Sequence, residues 1–192
     1  MTSNLRTLIA AAVLASVGSA QATSVAGNTS GLIDLGSFSA GTYLLTGSGL
    51  IDLCGNGTFT MKPDGTPNTS VTCGNYGSYF NPNGSFSADG NFGRAGGNAK
   101  IGALIGTLNA GAFLGNNPSA AQAADWFLVG YSTSVTLSSS GHIFAGINDT
   151  YHPNNTGAFD ISVQQIPEPG TYALMAAGLA LLGASARRRE AS

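Results

Sequence analysis

The sequence predicts an all-β domain, a jelly-roll β-sandwich, flanked by an N-terminal signal peptide and a C-terminal single apolar helix. Three observations lead there. Gly is abundant, with 28 copies in a chain of 192 residues. Before residue 170 no long stretch sustains helical periodicity, and short apolar runs are separated by Gly, Asn, Pro and Ser clusters, the pattern of many short strands. Between 23 and 166 every acidic residue is Asp, which favours turns, and none is Glu, which favours helices.

Residues 1–22 read as a signal peptide. Arg6 supplies a positive start, Leu8 to Val17 is a short apolar core, and small residues end in Ala20-Gln21-Ala22. An apolar core of about ten residues is too short to span ~30 Å of hydrocarbon. Cleavage after Ala22 makes Thr23 the mature N-terminus. A buried N-terminal helix is the plainer alternative, but no polar residues mark a helical face.

The domain itself is expected over 23–166. Strands are read near Gly41 to Leu53, Thr58 to Met61, Ser70 to Cys73, Asn98 to Leu108, Trp126 to Val129, Ser134 to Leu137, His142 to Ile147 and Ala158 to Gln164. Their number and spacing suit a sandwich. The alanine-rich stretch Pro118 to Asp125 is expected to form one helical turn. Asn75 to Gly97 is read as a long ordered surface loop, because Tyr76, Tyr79, Phe80, Phe86 and Phe92 need something to pack on.

In this domain three basic residues (Lys62, Arg94, Lys100) stand against seven aspartates (Asp34, Asp52, Asp64, Asp89, Asp125, Asp149, Asp160), a net charge of −4. That argues against nucleic acid as a partner, since phosphates call for clustered Lys and Arg. Cys54 and Cys73 are expected to pair as a disulfide in an oxidising compartment, contributing about 3 kcal/mol by the loop-entropy argument. A zinc site lacks further ligands at the usual spacing.

Pro167-Glu168-Pro169 interrupts regular structure and separates the domain from a tail over 167–192. Gly170 to Ala186 is apolar and uncharged, and Arg187-Arg188-Arg189 follows. At 1.5 Å per residue this helix reaches roughly 25 Å, near the lower limit for a membrane span, with the arginines on the cytoplasmic side. Pro-Glu-Pro, an apolar helix and an Arg cluster at the C-terminus resemble the PEP-CTERM sorting signal of exopolysaccharide-producing Gram-negative bacteria. The resemblance implies recognition and cleavage by an exosortase, a membrane-embedded processing enzyme, and a final place at the cell surface or in the extracellular matrix. A permanent single-span anchor is the alternative.

No G-x-S-x-G, H-E-x-x-H, S-x-x-K or G-x-x-x-x-G-K-[ST] motif occurs, and the two histidines, His142 and His152, have no evident catalytic partner in the sequence. The chain is therefore expected not to be an enzyme. The informative stretch is Gly141 to Val163. Two strands flank a loop crowded with oxygen donors: Asn148, Asp149, Asn154, Asn155 and Thr156. Hard cations such as calcium take a carboxylate supplemented by amide and main-chain carbonyl oxygens. The plainer reading is an Asx-rich turn that holds nothing.

Gly-Ala-Leu-Ile-Gly at 102–106, Phe127-Leu-Val-Gly130 and the Ile-Phe-Ala-Gly-Ile-Asn-Asp to Asn-Asn-Thr-Gly-Ala-Phe block resemble, in order, LecA-like calcium-dependent lectins, over roughly 98–163. The resemblance implies a jelly roll in which calcium holds two vicinal sugar hydroxyls. Carried over, the metal ligands are Asp149, Asn154 and Asn155, with main-chain carbonyls near Tyr151 and around Ile51. Asp149, Asn154 and His152 are expected to face the ligand. The loop is shorter than in the galactose-binding prototype, and the segment that selects galactose there has no counterpart, so the sugar is left open. Two functions follow: a calcium-assisted carbohydrate-binding module tethering polysaccharide of the matrix, or a structural surface protein that binds no sugar.

Overall fold

The computed structural model of the chain describes residues 21–55, 57, 59–69, 95, 99–115, 118–149, 151–167 and 177–180. In chain order these form β1 (Gln21–Ala26), β2 (Ile33–Phe38), β3 (Gly41–Asp52), β4 (Thr60–Met61), β5 (Leu104–Thr107), α1 (Ala120–Ala124), β6 (Trp126–Leu128), β7 (Ser132–Leu137), β8 (Gly141–Ile147) and β9 (Thr156–Ile166).

Two antiparallel sheets result. One has five strands in the order β1-β9-β3-β4, with β7 also pairing β3; the other has four in the order β2-β8-β5-β6. Strand alternation decides which side chains face inward. Along β9, Phe159, Ile161 and Val163 are buried while Asp160 and Gln164 are exposed. Along β8, Ile143, Ala145 and Ile147 are buried. These meet Leu35 of β2, Leu45 and Ile51 of β3 and Leu104 of β5 in one apolar cluster fed by both sheets. Burying one such side chain stabilises the fold by about 1.5–3 kcal/mol. A smaller cluster of Ala95, Ile105, Ala112 and Trp126 covers the other side of the second sheet.

β3 organises the first sheet. It pairs with β9 from Thr42↔Ile166 to Asp52↔Thr156, with β7 along its first half and with β4 at Ile51↔Met61 and Asp52↔Thr60. The helical turn expected near 118–125 is α1, closed by a reciprocal capping box in which Gln122 N–H donates to the Ser119 hydroxyl and Ser119 N–H to the Gln122 side-chain oxygen.

The strands depart from expectation in places. β1 and β2 were not anticipated. Gln21 and Ala22, assigned to the end of the signal peptide, pair with Val163 and Ser162 of β9, so removing them shortens an edge strand. β2 carries a register shift between Asp34 and Ser37, with Gly36 at φ 118°, which erases the alternation that marks a strand. The strand read over Asn98 to Leu108 is confined, among the described residues, to Leu104–Thr107. The signal segment 1–20, the strand at Ser70 to Cys73, the loop aromatics Tyr76 to Phe92, and Glu168, Pro169 and Arg187 to Arg189 lie outside the described residues. So does the expected membrane helix 170–186, except 177–180, which are helical; among the described residues no helix is long and apolar enough to cross a membrane.

Candidate functional site

Among the described residues three segments converge where β8 hands over to β9: residues 148–149 and 151–155 between those strands, residues 53–55 and 57 after β3, and Gly27 after β1. The ladders dictate this, because Asp52 lies opposite Thr156 and Ala26 opposite Ala158.

The segment opens with Asn148, fully buried. Its side-chain oxygen accepts from Ala95 N–H at 2.9 Å, and its amide nitrogen donates to the Ala99 and Lys100 carbonyls, both at 2.9 Å. Its main chain bonds Ala103 and Gly102. All of its side-chain hydrogen-bonding capacity except one lone pair is thus committed to 95–103, turned away from the loop that follows.

Asp149 is 7% exposed. One carboxylate oxygen accepts from Tyr151 N–H at 2.8 Å and the other from the Asn155 amide at 2.8 Å. The Asn155 amide nitrogen also donates to the Gly27 carbonyl at 3.2 Å, and that of Asn154 donates to the Leu53 carbonyl at 2.7 Å. Carbonyl and carboxylate oxygens only accept, so both amides are fixed with nitrogen toward these partners and oxygen away from them. Those two oxygens, Asn154 Oδ1 and Asn155 Oδ1, are buried and accept no hydrogen bond among the described residues. Buried acceptors without a donor cost free energy. Nor does any Lys, Arg or His pair with Asp149 among the described residues. One anionic carboxylate and two orphaned amide oxygens are a donor set suited to a hard cation.

The β3 side supports this loop closely. Asp52, also buried, accepts from Cys54 N–H at 2.9 Å and from Gly57 N–H, turning the chain so that Leu53 presents its carbonyl to Asn154. Gly55, at φ 70°, comes so near that a Cβ there would stand 2.7 Å from the Asn154 carbonyl oxygen. A Cβ on Gly27 would stand 2.6 Å from the Thr156 carbonyl oxygen. Both positions require glycine for this approach.

Asp149, Asn154 and Asn155 lie together in this loop. Ile51 is not placed to contribute its carbonyl. Leu53 N–H donates across to Phe59 on the β4 side, and groups two residues apart in a strand point the same way, so the Ile51 carbonyl also faces β4. The β3-side carbonyl that reaches the loop is Leu53's. His152 is likewise not a side chain presented to solvent: it is 7% exposed, whereas Tyr151 is 53% exposed. Cys54 carries no free thiol, and Cys73 lies outside the described residues. Asp52 and Gly27 were missed. Asp52 precedes Cys54 by two residues, an Asx-turn signal; nothing local marks Gly27.

A second polar group lies elsewhere, between β2 and β8. His142 Nδ1 stands 2.9 Å from Asp34 Oδ2, and its ring stacks on Phe144 at 6.0 Å. The Gly36 N–H and then His142 hold the Asp34 carboxyl below the usual carboxylate range. The interaction is present above the ordinary Asp pKa and is lost as pH falls through the lowered value. Among the described residues no three or more His, Cys, Asp or Glu cluster as a metal group.

Comparison with known proteins gives two findings. Residues 165–189 match the PEP-CTERM protein-sorting motif, which marks the chain as exported and surface-associated. The chain is also similar to a solved structure described as "EclA N-terminal domain; PllA-like lectin", at 14% identity and TM-score 0.46, over 76% of this chain and 96% of that one. No curated protein matches.

Proposed function

We propose that this chain is a calcium-assisted carbohydrate-binding module, built on a jelly-roll-like sandwich, that is exported and handled by an exosortase through its C-terminal tag. The observation that carries the reading is the pair of buried Asn154 and Asn155 side-chain oxygens that accept no hydrogen bond among the described residues, beside an Asp149 carboxylate that no cationic side chain among those residues meets. Calcium at this point would take those three side chains, with main-chain carbonyls from the loop completing the shell, and would leave positions for two vicinal hydroxyls of a sugar. The ligand is a glycan of the cell surface or matrix, and the protein does no catalysis.

The position of the site suits that task. It sits at the start of β9, at Thr156, while the sorting motif begins where β9 ends, near Ile166. The ten steps from Thr156 to Ile166 at about 3.3 Å each separate the two by roughly 33 Å, so the loop is held away from whatever surface receives the tag.

Calcium titration of the full chain by calorimetry is expected to give one saturable site. A glycan array is expected to show binding that disappears with chelator. Calcium uptake with no glycan bound would favour a structural surface protein, its loop stiffened by the ion. An intact-mass measurement on protein from producing cells should show loss of both the N-terminal signal and the tail, with a further 2 Da gained on reduction of a Cys54–Cys73 bridge. A tail that persists would instead indicate a permanent anchor.

A further inference from the structure

In the loop that carries Asp149, Asn154 and Asn155, polar side chains turn inward and one large ring turns outward. Asp149, His152 and Asn155 are between 3% and 7% exposed, whereas Tyr151 is 53% exposed. A single exposed aromatic is ordinary on a protein surface. This one differs in its attachment. Its N–H is held by Asp149 Oδ1 at 2.8 Å, so the backbone that bears the ring is tied to the carboxylate proposed to bind the cation. The next residue on is fixed too, because the His152 carbonyl accepts from Asn155 N–H at 3.0 Å. The ring is thus carried on a preorganised backbone, one residue from a buried side chain on the C-terminal side, and has only two side-chain torsions left to order.

A pyranose seated by two hydroxyls on a cation still presents C–H groups along one face. An aromatic ring beside the cation covers such a face at low entropic cost, and a tyrosine hydroxyl keeps the other end in water. We infer that Tyr151 is a ligand-binding residue of this site, its ring forming the apolar wall against which the sugar packs, and that it selects pyranosides with a contiguous C–H face. This rests on the calcium-assisted reading of the loop. It assigns the ring a task separate from any metal contact, since a metal would be met by main-chain or Asp and Asn oxygens and not by the phenol.

The test uses the full chain, calcium at saturation and a panel of methyl pyranosides (galactoside, fucoside, mannoside and glucoside) titrated by calorimetry. For whichever pyranoside binds, Tyr151→Ala is expected to lower affinity about tenfold or more, while Tyr151→Phe stays within about twofold. Calcium affinity should be the same in all three proteins. An Ala variant that binds the sugar as well as the parent overturns the assignment and leaves the calcium-assisted reading intact. An Ala variant that loses calcium also overturns it, because the ring would then be acting through loop structure. A calcium-loaded parent that takes none of the pyranosides overturns both.

Discussion

Asp149→Ala is expected to abolish the calcium uptake proposed for this loop, and with it any rise in thermal midpoint that calcium gives the parent. Asp149 is the one carboxylate of its loop, buried, and paired with no cationic side chain among the described residues. Removing it takes away the formal charge that draws the ion and leaves two neutral amide oxygens, an affinity loss of at least about 100-fold. It also strands the Tyr151 N–H and one N–H of the Asn155 amide, both of which donate to this carboxylate. Each costs on the order of 1 kcal/mol, more where water cannot reach. Asp149→Asn separates the two effects. Its single oxygen can serve one donor, and its NH2 must then face the other, so about one hydrogen bond is lost while most of the shape is kept. Calcium binding should still fail. Calorimetry reads the ion, and urea unfolding without calcium reads the intrinsic loss. If either variant takes up calcium like the parent, the loop is not the site.

Much of this was readable before the structure, for a definable reason. Ile143, Ala145 and Ile147 of β8 and Phe159, Ile161 and Val163 of β9 stand at every second position and face the core, so alternation marks the strands and fixes the loop between them. Asp149, Asn154 and Asn155 follow from that loop and from a resemblance in residue order. What alternation cannot reach is the irregular backbone. β2 is interrupted at Gly36, and β1 has one fully buried apolar residue, Val25, so neither shows the period. Inside the loop no period exists, so the residues themselves do not say which of Tyr151 and His152 turns inward. The shift from Ile51 to Leu53 has the same origin. The Ile51 carbonyl lies inside the ladder with β4, whereas Leu53 follows the end of β3, where Asp52 turns the chain toward Asn154, a difference the residues themselves do not mark.

Asn148 is the second position where a large effect is expected, and it is a loss of stability. The sequence places it among the loop's oxygen donors, beside Asp149, yet its side chain is spent on the opposite side. Asn148→Ala leaves the N–H of Ala95, a fully buried residue, without its acceptor, the Ala99 carbonyl without its Asn148 donor, and the Lys100 carbonyl with Ala103 N–H as its remaining donor. The first bears the full desolvation penalty; the other two belong to half-buried residues and regain water in part. About 3 kcal/mol is the expected loss, read as a lower urea midpoint with unchanged slope. Asn148→Asp provides the sharper comparison. It keeps an acceptor for Ala95 but sets a carboxylate oxygen against two carbonyl oxygens, so it should be at least as destabilising as Ala although it is isosteric. A merely space-filling role would predict the reverse order. Because the Asn148 backbone leads directly into Asp149, calcium should bind the Ala variant more weakly than the parent while still raising its midpoint. That pattern would identify Asn148 as the anchor that positions the ligand next to it, with the metal itself left to Asp149, Asn154 and Asn155.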